Sequence, residues 1–254
     1  MGRAASLLSP RRWAAFGGLF ACVIAWYVAA PHLPHLALWP AVVVVSVAVM
    51  PVTLLLVLVL LPLRELPTRM LVAVTAAFAL LALAFAELGL GLEGNFAKLF
   101  AAVFAGWAFL GLFEMLSWVV LVAVVVPAVD AISVWRGPTH AITKHHFEVY
   151  TAVAVAFVVP GGGAAYLGPP DILFFALFLG AAHRWGLRVV WTWAAMTAMY
   201  GLTVVTANAA DVGGLPALPF LSVGFLAANA DILWRQYRTR PRAKDEPPVS
   251  DTKS

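Results

Sequence analysis

From Trp13 to Leu63 the chain carries no Asp, Glu, Lys or Arg. One transmembrane helix needs about 20 predominantly apolar residues, so this run is long enough for two. Composition carries the same message through the rest of the chain. Apolar residues make up 63% and charged residues 11%, against about 25% charged in an ordinary soluble domain. So few charges cannot cover the surface of a water-soluble protein of this length, and the excess apolar surface must face lipid. The expected fold class is therefore all-α, a polytopic transmembrane helix bundle with about eight spanning helices, held in the cell membrane. The formal charge of +4 does not point to nucleic acid, because the basic residues sit at segment ends and in the tail rather than in one patch.

The first run divides at Pro31-His32-Leu33-Pro34-His35, where prolines interrupt the helical hydrogen-bond ladder. It yields helices at about 13–30 and 37–62. Arg3, Arg11 and Arg12 ahead of Trp13 resemble a secretory signal, but no cleavage site follows, and the segment reads as a spanning helix. A third helix covers about 70–88, and the glycine-rich stretch from Gly89 reads as a loop ending at Lys98. Leu99 to Trp135 as one helix would be about 55 Å long, against a hydrocarbon core near 30 Å. It must fold back, with Glu114 as the turn, giving helices at about 97–112 and 115–135. A polar connector holds His140, Lys144, His145, His146 and Glu148. Val149 to Val159 is β-branched and too short to span, so it reads as extended, and Gly161-Gly162-Gly163 breaks the chain. Helices at about 167–183, 187–208 and 216–234 complete the count. The tail 235–254, charged and proline-rich, is expected to be disordered.

Orientation follows from the sixteen Lys and Arg residues. With eight crossings and both termini cytoplasmic, only Lys98, Arg136 and Lys144 fall outside, as the positive-inside rule requires. The ten tryptophans lie mostly near helix ends, where aromatic belts form. The single cysteine, Cys22, excludes an intramolecular disulfide and reads as a small core residue.

A carboxylate in a spanning helix costs about 2.5 kcal/mol or more, which makes it a candidate functional group. Asp130 and Asp171 are the two lodged in apolar helices, each near the outer end of its own helix and so at similar depth. Two nearby carboxyls cannot both ionise cheaply and share one proton. The ionised one can then take a proton from water while the other polarises a carbonyl. Alternatively each acid pairs with a polar group in the bundle or lines a proton path. Glu87, Glu114, Asp211 and Asp231 lie at helix ends and need no special role.

The sequence around these residues resembles the presenilin and signal-peptide-peptidase family. Val129-Asp130-Ala131-Ile132-Ser133-Val134 with Gly137-Pro138 is similar to its Tyr-Asp helix. Leu167-Gly168-Pro169-Pro170-Asp171 is similar to its Gly-x-Gly-Asp motif, and Pro216-Ala217-Leu218 is its Pro-Ala-Leu motif, in the family's order and spacing. The resemblance spans roughly 114–234. It divides the chain into an N-terminal bundle (1–113), a half bearing both aspartates and the Pro-Ala-Leu motif (114–234), and the tail. It implies an intramembrane aspartic endopeptidase that cuts transmembrane segments of membrane proteins or signal peptides within the bilayer, without metal or other cofactor. Asp130 and Asp171 would be catalytic, with Gly168, Pro170, Pro216, Ala217 and Leu218 supporting them. The extended segment at 149–159 would pair with an unwound substrate. Pro216 and Pro219 would interrupt the backbone beside a cavity at the aspartates' depth. The family usually has nine crossings, so one helix, the first, is missing here. Val129 stands where the family has tyrosine, and Pro170 where it has glycine. These departures keep open a catalytically silent presenilin-like protein that binds membrane helices, and placement alone keeps open a small proton-coupled transporter. The connector histidines match no familiar zinc spacing.

Overall fold

The computed structural model describes residues 9–136, 147–212 and 215–238, and among them the chain is mostly helical with one β-hairpin. Five helical stretches are long and apolar enough to cross a membrane: Pro10–His32, Leu38–Glu65, Thr68–Glu87, Val189–Ala209 and Ala217–Arg238. Helix α1 (Pro10–Ala29) starts on Ser9, whose hydroxyl accepts the Arg12 N–H at 3.4 Å, with Pro10 in the first turn where its missing N–H is not needed. Cys22 is exposed on α1 rather than buried. The helix turns Val23 and Tyr27 inward instead, and position 22 falls on the other face.

Helix α2 (Leu38–Glu65) is continuous but widens to a π turn at Val45–Val49. The cause lies two residues on. Pro51 has no N–H for the ladder and its ring crowds the carbonyl four residues back, and the wider turn accommodates both. The bulge also sets Ser46 against Gly201, whose carbonyl accepts the Ser46 hydroxyl at 3.3 Å. Helix α3 (Thr68–Glu87) lies on α4 (Gly91–Leu110) with little of its own surface buried. The loop expected up to Lys98 is only a tight turn at Leu88–Leu90, and α4 already begins at Gly91. Glu93 in its first turn meets the helix's partial positive end, so the glycine-rich stretch starts a helix.

The chain turns at Gly111–Met115, around Glu114, into α5 (Leu116–Arg136). After the connector come a short helix α6 (Phe147–Val153), strands β1 (Val155–Val158) and β2 (Ala164–Leu167), then α7 (Pro169–Arg184), α8 (Val189–Ala209) and α9 (Ala217–Arg238). The expected extended segment 149–159 is thus helical to Val153 and a strand only afterwards. β-Branching is a weak preference that partners override, and only from Val155 does the backbone find strand partners.

Helix α7 is the centre of the bundle, with Ile172, Phe175, Phe178 and Leu179 fully buried. It packs against α4 at Gly106, where an added Cβ would collide with the Leu173 carbonyl. Small residues allow such close approach where two apolar helices meet. Outward, Val47, Leu80, Leu83 and Ile132 are all exposed, an exterior suited to lipid. Trp13, Trp39, Trp118, Trp191 and Trp234 are exposed near helix ends, whereas Trp107 is buried and Trp193 points inward to the Leu54 carbonyl. Asp231 lies inside α9 rather than at its end, and both its oxygens take the guanidinium of Arg188 at 2.8 Å.

Candidate active site

Helix α5 carries Pro127 one turn before Asp130. The proline cannot donate to the carbonyl four residues back, which breaks the ladder of α5 just ahead of the carboxylate. Alongside, α5 packs on α9, and this brings Asp130 to the start of α9. There its Oδ2 accepts the backbone N–H of Leu218 at 3.1 Å. Leu218 is in the first turn of α9, where N–H groups have no partner within the helix and the dipole is positive.

The second carboxylate uses the same device on a different helix. Asp171 is the third residue of α7 and reaches back to the N–H of Gly168 at 3.0 Å, closing one side of a capping box. A Cβ at Gly168 would stand 3.3 Å from that carboxylate oxygen, so glycine leaves the oxygen room. The backbone carbonyl of Asp171 accepts the hydroxyl of Tyr200 from α8 at 2.5 Å. Tyr200 is fully buried and stacked on Phe175. Asp130 and Asp171 lie within each other's electrostatic reach, and Tyr150 and Tyr200 lie within reach of both.

Three segments far apart in sequence therefore meet: Asp130, the Gly168–Asp171 turn, and Pro216-Ala217-Leu218, whose residues are buried. No family model matches the chain, and no curated protein or solved structure matches it.

One expectation at this site needs correcting. Pro216 and Pro219 do not leave an interrupted backbone: α9 begins at Ala217, and Pro219 sits inside its first turn, where a missing N–H breaks no intrahelical bond. The unpaired group that matters is the Leu218 N–H, and Asp130 takes it. Two surface clefts, one lined by Arg188, Trp191 and Ala228 and the other by Arg64, Trp107 and Arg184, lie at the opposite end of the helices from the aspartates. Pro170 is the second residue of α7 and exposed, so it too removes no helical bond. Val129 is 60% exposed, and the phenols near the carboxylates come from Tyr150 and Tyr200 instead. Among the described residues no three His, Cys, Asp or Glu side chains cluster as metal ligands would. His140, Lys144, His145 and His146 lie outside the described residues, as does the side chain of Glu148.

The hairpin leads straight into the site. β1 and β2 are antiparallel, with Val155 opposite Leu167, Ala156 opposite Tyr166 and Val158 opposite Ala164. The turn between them holds Gly161, Gly162 and Gly163, all at positive φ, a conformation in which residues with a Cβ are strained. β2 ends one residue before Gly168. Strand β2, the three tyrosines Tyr27, Tyr150 and Tyr200, and Asn95 were all missed by sequence reasoning. The glycine triplet between two short apolar runs is a hairpin signal that would have found β2. Asn95 was hidden by placing it in a loop. Nothing in the sequence alone marks the tyrosines.

Proposed function

We propose that this chain is an intramembrane aspartic endopeptidase with Asp130 and Asp171 as its catalytic pair. The supporting observation is convergence: the two carboxylates that stand out in the sequence share one electrostatic site, Asp130 held by a backbone N–H of the Pro-Ala-Leu motif and Asp171 by the Gly168 N–H of its own motif. Two helix N-termini pointing at one site favour a negative charge there. The pair can then hold one proton between two acids. The ionised carboxylate takes a proton from water, the water attacks the scissile carbonyl, and the protonated carboxyl donates to the carbonyl oxygen.

In this reading α4, α5 and α7 cross the membrane with the five stretches named above, making eight crossings and a presenilin-like bundle. Helix α7 has 16 residues, about 24 Å of helix, shorter than a hydrocarbon core of about 30 Å. Asp171 then starts below the bilayer surface, and the hairpin fills the remaining depth. Non-helical backbone at that depth is tolerated only when protein or water satisfies it. The substrate is a transmembrane segment of another membrane protein, locally unwound so that it lies as an extended chain beside the hairpin.

The test is purified protein in detergent with a generic transmembrane peptide, with and without an aspartyl-protease transition-state inhibitor. Inhibitor-sensitive cleavage is expected. A peptide that binds and is never cut identifies a silent homologue. Proton-coupled transport without cleavage identifies the transporter.

A further inference from the structure

The outer edge of β1 is already occupied. Asn95, 5% exposed near the start of α4, lies beside Ala156 and makes both bonds that a neighbouring strand would make. Its Nδ2 donates to the Ala156 carbonyl at 3.0 Å, and its Oδ1 accepts the Ala156 N–H at 2.7 Å. The Tyr27 hydroxyl donates to the same carbonyl at 2.6 Å, and the Trp26 indole N–H donates to the Val158 carbonyl at 3.2 Å. In an antiparallel pair alternate residues turn their backbone groups inward and outward. Ala156 and Val158 are the outward-facing ones on β1, and side chains from α1 and α4 take both backbone groups of Ala156 and the carbonyl of Val158.

A buried strand edge in an apolar bundle needs its N–H and C=O groups paired, and a second hairpin strand would suffice on one side only. Asn95 does more than satisfy them. It ties one particular residue of β1 to one turn of α4, the helix that also packs on α7. A lone two-stranded hairpin is marginally stable, and nothing within it fixes where β1 lies along α4. A bidentate amide against a single residue removes that freedom. The chain of fixed steps then runs from Asn95 to Ala156, across the register to Tyr166, and along β2 to Gly168 and Asp171.

We infer that Asn95 is a positioning residue: it closes the outer edge of β1 as a one-residue surrogate strand and fixes the hairpin in a single register against Asp171, and so decides which substrate bond is cut. This rests on the proteolytic reading above. Because the side-chain period of a strand is two residues, a slipped hairpin that keeps its faces must move by two. Loss of Asn95 therefore creates new cleavage sites two residues from the original one, and not merely slower cleavage.

The experiment compares wild type, Asn95→Leu, Asn95→Gln and Tyr27→Phe, reading product masses from one transmembrane peptide. Wild type should cut chiefly at one bond. Asn95→Leu, similar in size but without either polar group, should add products displaced by two residues. Asn95→Gln keeps the amide and should retain most of the original site. If Asn95→Leu does not fold, Tyr27→Phe, which deletes one oxygen, should give the same displaced products at a lower share. Unshifted cleavage in every folded variant, however slow, overturns the inference and leaves the protease reading intact. A second measurement needs no cleavage. In an Asp171→Asn, Cys22→Ser background, Ala164→Cys should capture a cysteine-scanned peptide by disulfide at one position, and at positions two residues away once Asn95→Leu is added. Single-position capture by a protein that never cuts removes the protease reading while register control by Asn95 stands. Capture at every position alike before Asn95 is changed overturns the inference whatever becomes of that reading.

Discussion

Asp130 and Asp171 each accept an N–H at the start of a helix, and an asparagine oxygen can accept the same bond. Asp130→Asn and Asp171→Asn should therefore fold normally, since a neutral amide also costs less to bury than a carboxylate. Each removes one half of an acid–base pair, and cleavage should fall on the order of 10²–10⁴-fold. Product from a transmembrane peptide and the thermal midpoint of each variant are the measurements. Undiminished proteolysis in either single variant would sink the two-aspartate mechanism. Pro170→Gly tests the departure beside the second acid. The exposed proline serves no bond in α7, so glycine should preserve or raise activity by freeing the backbone. It should also lower stability by about 0.4–1 kcal/mol, because glycine gives the unfolded chain more freedom. The aspartates were legible in the sequence because a carboxylate in an apolar helix is costly enough to demand a reason. Asn95, Tyr27 and Tyr200 were not. A neutral polar residue carries a smaller penalty, and its partner is known only once distant segments are packed together.

Helices α4 and α7 form the contact on which the position of Asp171 depends. Gly106 has the carbonyl of Leu173 and the Ala176 Cβ directly over it. Backbone cannot swing aside as a flexible side chain can, so Gly106→Val must push α7 away. Overpacking of this kind costs about 1–3 kcal/mol, and it displaces the helix that begins with the Gly168–Asp171 turn. Both the thermal midpoint and the cleavage rate should drop. Gly17→Val in α1, with nothing within 4 Å of an added Cβ, is the control and should change neither. If Gly106→Val matches that control, the close α4–α7 contact is wrong. At this scale the sequence was uneven. Helices announced themselves by apolar length, and their breaks fell at prolines and at Glu114. The hairpin did not, because four-residue strands carry almost no periodicity and form where the backbone finds partners. The start of α4 was misplaced because glycine was read only as a breaker, and the acidic first turn that follows Gly91 was given no weight.

Seen whole, the molecule has two chemically different ends. At one, the Arg64 Nε donates to His183 Nδ1 at 3.0 Å, and Arg184 donates to the Leu110 carbonyl at 3.3 Å. Arg12 lies within electrostatic reach of His183. The start of α1 and the ends of α2, α4 and α7 therefore gather there, and Arg69 and Arg188 open the helices that follow the α2 and α7 ends. At the other end Lys98 donates to the Thr151 carbonyl at 3.4 Å, on the segment that leads into the hairpin. Leaving the tail aside, arginines thus concentrate at the end opposite the carboxylates. Apolar length and the Lys and Arg pattern made this layout readable in advance, whereas the packing order of the helices was not, since lipid-facing and buried positions are equally apolar. On the proposed topology the positive-inside rule would put the arginine-rich end in the cytoplasm, and the aspartates would then face the outer half of the bilayer. A reporter active only in the cytoplasm should work when fused after Ser254 and fail when inserted in the connector 137–146. A reporter active only outside should give the reverse. An external C-terminus would mean an odd number of crossings or the opposite orientation. Because the connector lies between α5 and the α6–hairpin segment that leads into α7, a cytoplasmic connector would place both carboxylates at the inner leaflet and reverse the side on which products are released.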